Sequence, residues 1–268
     1  MFYNAKNGNI KIGNSDMDFV SFGKGDKSLI MIPGLSDGVT TVKGKAILMA
    51  MMYKCFAKSY KVYMISRKNH MEKGYSTRNM AADYKTVMDR LGMSKAEIIG
   101  FSQGGMIAQY IAIDYPELIG KLVLAVTLSK QNETVQKVIN SWIKMVEASD
   151  FKRFTIDSME KCYAEKSLKK YRPFYPLLSR ISKPKNIDRF IIQANSCITH
   201  DAYDELDKIK CPTLVIGGDS DRVVGTGTSE EIAGKIENSK LIIHKELGHS
   251  AHEETKDFYP QVLEFLRS

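Results

Sequence analysis

The sequence predicts an α/β protein with a mostly parallel central sheet, helices on both faces and a helical insertion. Two observations carry that expectation. Short, continuously apolar runs at 29–32 and 122–126 alternate with longer stretches of helical periodicity. Such runs suit strands buried on both faces, and their alternation with helices implies parallel crossovers. The alternation then breaks at 129 and resumes near 205. Residues 1–128 and 205–268 are therefore expected to form one core, with 129–204 a helical insertion over the sheet's active edge. A chain of 268 residues with 43% hydrophobic content can bury a core of that size.

Taken in order, residues 2–12 and 17–22 read as two strands, with Asn7-Gly8-Asn9 and Gly13-Asn14 as turn residues. The strand at 29–32 ends in Pro33-Gly34-Leu35-Ser36-Asp37-Gly38, a loop that must turn sharply. Residues 42–58, rich in Ala, Met and Lys, look helical, and 61–66 is the next strand. Over 77–91, Met80, Tyr84, Val87 and Leu91 form one apolar stripe, with Ser76 or Thr77 as cap and Gly92 at the end. A strand at 96–101 runs into a helix over 105–115 that is apolar nearly all round, hence central and buried, and Pro116 stops it. Strands follow at 122–126, 213–216 and 241–244. Pro260 is tolerable only in a first turn, so the last helix should start near Asp257.

Composition narrows the function classes. No run of 18 or more apolar residues exists, so no membrane span is expected, and the N-terminus lacks a secretory pattern. Cys55, Cys162, Cys197 and Cys211 are widely spaced, without a Cys-x-x-Cys pair or metal-ligand spacing. Reduced thiols in a cytoplasmic protein are the expectation. Nothing resembles a nucleic-acid-binding module. The net charge is +8, and residues 129–200 hold 14 Lys/Arg against 7 Asp/Glu. That excess reads either as attraction of acidic substrates or an anionic surface, or as a solvated helical face.

The chemistry centres on Gly100-Phe101-Ser102-Gln103-Gly104, between a strand and a helix. That pattern describes a nucleophile elbow, a tight turn that exposes a serine oxygen at a helix N-terminus. A serine hydroxyl needs a base, and the base needs a carboxylate to orient it. His249, after Gly248 in a strand-end loop, is the expected base, with His252 its competitor; His244 falls inside a strand pattern. The acid is Asp221 or Asp219, both in the loop after 213–216. Asp221 is favoured, because Asp219 suits a turn role. The oxyanion needs two preplaced donors. These are expected to be the backbone N–H groups of Gln103 and Leu35, which makes side-chain identity at both positions secondary. Ser36 offers a further hydroxyl or simply faces solvent.

These segments resemble the α/β-hydrolase superfamily. The matching residues are Pro33-Gly34-Leu35, Gly100 through Gln109, Tyr115-Pro116-Glu117, Gly218 through Val224, and Gly248-His249. The resemblance covers 17–128 and 205–267, and the elbow and its helix are similar to the small carboxylesterase and enol-lactonase-like group. It implies the α/β-hydrolase fold, a Ser102–Asp221–His249 triad, and a cap (lid) role for 129–204. Pro33-Gly34 stands where many relatives have His-Gly, and Ser66-Arg67-Lys68-Asn69-His70 where many have Asp-x-x-Gly. A serine at the elbow argues against the members with an aspartate nucleophile. The implied activity is hydrolysis of an ester or related acyl bond of a small-molecule substrate, with no metal or cofactor. A lactonase, C–C hydrolase, thioesterase or cofactor-free perhydrolase would use the same triad, and the alternative of another class is a ligand-binding signalling protein with slow or no turnover. Ser36, Met106, Trp142, Phe151 and Val223 are the expected pocket residues. The oligomeric state is not indicated.

Overall fold

The computed structural model describes residues 3–181 and 183–268. The strands are β1 (Lys6–Ile12), β2 (Ser15–Phe22), β3 (Lys27–Ile32), β4 (Tyr60–Lys68), β5 (Ala96–Phe101), β6 (Ile119–Ala125), β7 (Thr213–Gly218) and β8 (Ser239–His244). The helices are α1 (Ser36–Val39), α2 (Ala46–Met52), α3 (Thr77–Arg90), α4 (Gln103–Asp114), α5 (Glu133–Glu147), α6 (Phe151–Cys162), α7 (Glu165–Tyr171), α8 (Tyr175–Ile181), α9 (Ile187–Ile198), α10 (Thr228–Lys235), α11 (Ala251–Glu254) and α12 (Phe258–Arg267).

Among the described residues eight strands form one sheet, in the order β1-β2-β4-β3-β5-β6-β7-β8. β1, β2 and β4 pair antiparallel, and every pair from β4–β3 to β7–β8 is parallel. Buried side chains of α3, α4 and α10 pack on one face, and those of α2 and α12 on the other. The register then positions the site. Ile32 lies beside Gly100, Phe101 beside Ala125, Ala125 beside Ile216, and Gly218 beside His244. The C-terminal ends of these parallel strands are level, so the loops that follow them gather at one sheet edge, where ligands bind in such sheets.

Residues 129–204 leave and re-enter the core at one point. Lys130 pairs with Asp201, and the Ala202 N–H donates to the Ser129 carbonyl at 2.7 Å. Between them α5, α6 and α9 share a third apolar cluster with Met106 of α4 and with Leu35, Val223 and Val224 from the core loops. The side chains of Asn132, Asp150 and Asn186 cap these three helices.

Three local expectations change. The helix expected over 42–58 is only α2. Gly44 has φ +78, outside the helical region, and Phe56 and Ala57 turn inward to the core under β2 and β4. Asn7-Gly8-Asn9 is strand rather than turn, because Gly8 faces Phe19, whose ring occupies the space that a side chain at Gly8 would need. The part of that first strand assigned to Phe2 lies outside the described residues. The turn is Gly13-Asn14 alone. Helix α10, with Gly234 inside it, was not foreseen from the sequence.

Candidate active site

Ser102 sits between β5 and α4 with φ +52 and ψ −119, a conformation that L residues rarely adopt. Neighbouring glycines permit it. A Cβ on Gly100 would lie 2.4 Å from the Gly104 carbonyl oxygen, and one on Gly104 would lie 2.0 Å from that of Ile32. The turn also holds the serine from behind. Its N–H donates to the Ala125 carbonyl, and its own carbonyl accepts from Thr127 Oγ1 at 2.7 Å.

His249, in the loop after β8, reaches the serine. Its Nε2 lies 2.9 Å from Ser102 Oγ, and its Nδ1 lies 2.8 Å from Asp221 Oδ2. With a carboxylate on Nδ1, that nitrogen carries the proton and Nε2 is left to accept from the hydroxyl. Asp221 is 4% exposed, and its other oxygen accepts the N–H groups of Val223 and Val224 at 2.8 and 3.0 Å. The carboxylate is therefore fixed by its own loop. Asp219 is exposed and does turn work, accepting from the Glu246 N–H at 2.7 Å and from Ser220 Oγ. His252 lines the cavity with its ring 5.1 Å from that of Phe101, and its Nε2 faces Glu253. His244 stacks on Phe258.

The loop after β3 lies against the elbow. A Cβ on Gly34 would fall 3.2 Å from Ser102 Cβ and 3.8 Å from Oγ, which puts the adjacent Leu35 beside the serine. Gln103 is the first residue of α4, so its N–H has no intrahelical acceptor. Among the described residues, neither the Leu35 nor the Gln103 N–H has a protein acceptor.

The Gln103 side chain, taken as secondary from sequence, is fully buried and joins three elements. Its amide nitrogen donates to the Gln193 carbonyl and to Ser196 Oγ on α9, at 2.7 and 2.9 Å. Its amide oxygen accepts from Arg67 at 2.9 Å. Arg67 also donates to the Pro33 carbonyl and lies beside the buried Asp37, which in turn pairs with Arg189 of α9 at 2.5 Å. The segment Ser66–His70, where the sequence departs from the family pattern, thus supplies a guanidinium that braces the loop after β3.

A cavity of about 450 Å³ opens from Ser102 toward α5, α6 and α9. Ser36, Met106, Trp142 and Val223 line it as expected, and Ser36 stands exposed. Phe151 does not line it. It occupies the first turn of α6, at the outer end of the helical cluster, with the Lys183 ammonium 5.1 Å from its ring centroid. The α6 residues that reach the cavity begin one turn later, at Phe154. Trp142 turns its ring inward and donates its indole N–H to Asp157 at 2.7 Å.

Sequence reasoning missed Val126, Phe190, Tyr163 and Glu253, all in the cavity wall. Val126 has φ +46, held by its N–H donating to the Ile216 carbonyl, and nothing in a lone valine signals that. Glu253 accepts from Tyr163 Oη at the end of α6. Burial pushes the Glu253 carboxyl up, but His252 and the Tyr163 hydroxyl outweigh burial and hold it below the usual range. Among the described residues, no Lys or Arg, including those of 129–200, lines the cavity.

A family model described as alpha/beta hydrolase fold matches residues 29–256. A 2-hydroxy-6-oxononadienedioate/2-hydroxy-6-oxononatrienedioate hydrolase of Pseudomonas sp is 27% identical over 189 residues, 68% of this chain and 66% of that protein. The match thus spans just under two thirds of that relative's length. Among solved structures, an alpha/beta hydrolase enzyme from a Medee basin deep-sea metagenome library superposes with a TM-score of 0.87 at 20% identity, covering 97% of this chain and 98% of that one. The enol-lactonase from Burkholderia xenovorans LB400 gives 0.83 at 15% identity, covering 97% and 100%. At such identities the structural likeness speaks for the fold.

Proposed function

The chain belongs to the alpha/beta hydrolase fold family, and from that premise we propose that it is a serine hydrolase of uncharged acyl esters, with Ser102 as nucleophile. The observation that carries the reading is the continuous chain from Ser102 Oγ through His249 to Asp221, at 2.9 and 2.8 Å.

In this mechanism His249 Nε2 removes the hydroxyl proton as Ser102 Oγ attacks the substrate carbonyl carbon. The carbonyl oxygen becomes an oxyanion and accepts from the N–H groups of Leu35 and Gln103. A donor of this kind contributes about 3–4 kcal/mol to transition-state stability. Asp221 keeps the imidazole in the right tautomer and balances the imidazolium. The tetrahedral adduct collapses, and His249 gives its proton to the departing alkoxide, leaving an acyl-Ser102. A water then gives its proton to His249 and attacks the acyl carbon. Collapse returns the proton to Ser102 and frees the acid. Residues 129–204 act as the cap that keeps the acyl chain out of water.

The substrate class follows from the cavity wall. Leu35, Met106, Ile139, Trp142 and Phe190 offer apolar surface, and the acid in the wall, Glu253, is held ionised. The curated relative is named for a dioate, which carries two carboxylates. A carboxylate in this cavity would meet no lysine or arginine among the described residues, and His252, the imidazole beside Glu253, is already engaged by it, so the wall favours a neutral acyl group over a dianion.

The test compares kcat/KM for two p-nitrophenyl esters of equal acyl length, one neutral and one ending in a carboxylate, with Ser102→Ala as the control. A preference of about tenfold or more for the neutral ester is expected, equivalent to about 1.4 kcal/mol. Equal or better turnover of the carboxylate ester would overturn the substrate class. Turnover surviving in Ser102→Ala would overturn the mechanism.

A further inference from the structure

Helix α2 carries its apolar residues on the wrong side for a helix packed on a sheet. Ala46 and Ala50 face the core, whereas Ile47, Leu48, Met51 and Met52 are each between 51% and 55% exposed. Their i, i+1, i+4, i+5 spacing puts all four on one outward face. Scattered exposed hydrophobics are ordinary, but four contiguous large ones on a single helix face mark a surface that meets something other than water.

The charges around this face indicate what it meets. Residues 38–71 contain seven Lys/Arg and no Asp or Glu. Arg67 and Lys68 are bound to Asp37 and Asp83. The other five are lysines without an acidic partner among the described residues; Lys43, Lys45, Lys54 and Lys58 flank α2, whereas Lys61 lies on the far face of the sheet with its ammonium over the Tyr63 ring. An outward apolar face flanked by unpaired lysines is the pattern of a segment that lies on an anionic membrane, with side chains among the acyl tails and ammonium groups among the headgroups. A second copy of the chain fits worse. A symmetric contact would set these lysines against their own copies, in a molecule already at +8.

The segment that leads into α2 adjoins the cavity. Val39 and Thr40 line it, Lys45 Nζ lies 3.4 Å from Thr40 Oγ1, and the Lys185 N–H donates to the Val39 carbonyl. We propose that the outer face of α2, with its flanking lysines, docks the protein on a membrane surface rich in anionic lipid, beside the entrance used by the acyl substrate. The docking does not depend on which residue is the nucleophile.

The experiment is co-sedimentation of the full chain with vesicles of phosphatidylcholine alone or of phosphatidylcholine and phosphatidylglycerol at roughly three to one. The protein should pellet with the anionic vesicles, at least about fivefold more than with the neutral ones, and high salt should release it. Leu48→Glu/Met51→Glu, both outside the cavity, should abolish pelleting while hydrolysis of a soluble ester is unchanged. Lys43→Glu/Lys54→Glu should weaken it for anionic vesicles only. Equal binding to both vesicles, or none, would overturn the proposal. So would a concentration-dependent dimer in sedimentation velocity that Leu48→Glu/Met51→Glu dissolves without any effect on vesicles.

Discussion

The carboxylate of Asp37, in the loop that follows β3, pairs with the guanidinium of Arg189 on α9 at 2.5 Å, with both side chains buried. Arg189 also donates to the carbonyls of Asp37, Arg67 and Lys68. One side chain from the helical segment therefore fixes the backbone two residues from Leu35. Breaking one partner of such a pair leaves an uncompensated buried charge. Arg189→Met and Asp37→Asn should each cost about 3–5 kcal/mol in urea unfolding. The pair Asp37→Asn/Arg189→Met should cost at least ~2 kcal/mol less than the sum of the two singles. Additivity within ~0.5 kcal/mol would show that the two do not act together.

The two aspartates after β7 should separate cleanly in kinetics. Asp221→Asn keeps the shape but loses the charge that orients His249, and kcat should fall by about 10³–10⁴. Asp219→Asn touches only the turn around Glu246 and Ser220, and kcat should stay within about threefold. Reversal of that order would move the acid to Asp219.

Glycine replacements test the packing at the elbow. Gly104→Ala drives a methyl into the Ile32 carbonyl, 2.0 Å away on rigid backbone, and should cost about 3 kcal/mol or more. Gly234→Ala in α10 meets nothing within 4 Å and has a helical backbone. It should gain about 0.5–1 kcal/mol. Thermal unfolding reads both, and a stable Gly104→Ala would contradict the close approach described for the turn.

His200 supplies a pH prediction. It is buried between Thr77 and Gln109, and burial pushes its pKa down to about 3, so it is neutral in the fold. The unfolded chain binds the extra proton below about pH 6.5, so the unfolded state gains as pH falls. The contribution of neutral His200 is whole above pH 6.5 and is lost progressively toward pH 3. Between pH 7 and 5 this single group should remove ~2 kcal/mol of stability. Urea midpoints of His200→Gln should fall less steeply over that range than those of the parent, and parallel slopes would show that His200 titrates freely in the fold.

How much the sequence revealed follows the range of each interaction. The elbow was legible because strand, glycines, serine and helix are consecutive, and every parallel strand announced itself as an apolar run. The loops around Leu35, Asp221 and His249 were legible because strand ends carry chemistry in this kind of sheet. The choice between Asp219 and Asp221 lay in one turn and needed three-dimensional partners to separate them. The Asp37–Arg189 pair spans 152 positions and leaves no local trace. The role of the Gln103 side chain was hidden for the same reason. Phe151 failed as a pocket residue because helical periodicity gives the face of α6 but not which of its turns reaches the cavity. Helix α2 was drawn too long because its composition favours a helix while Gly44 and the inward-turning Phe56 do not.

The central claim is that Ser102 is a nucleophile activated by His249, and covalent labelling tests it most directly. The protein is treated with a fluorophosphonate, its intact mass is measured, and the modified peptide is mapped. One adduct per chain on Ser102 is predicted, absent in Ser102→Ala and formed at least ~100-fold more slowly in His249→Ala. An adduct on another serine, or labelling of Ser102 at an unchanged rate without His249, would contradict the account.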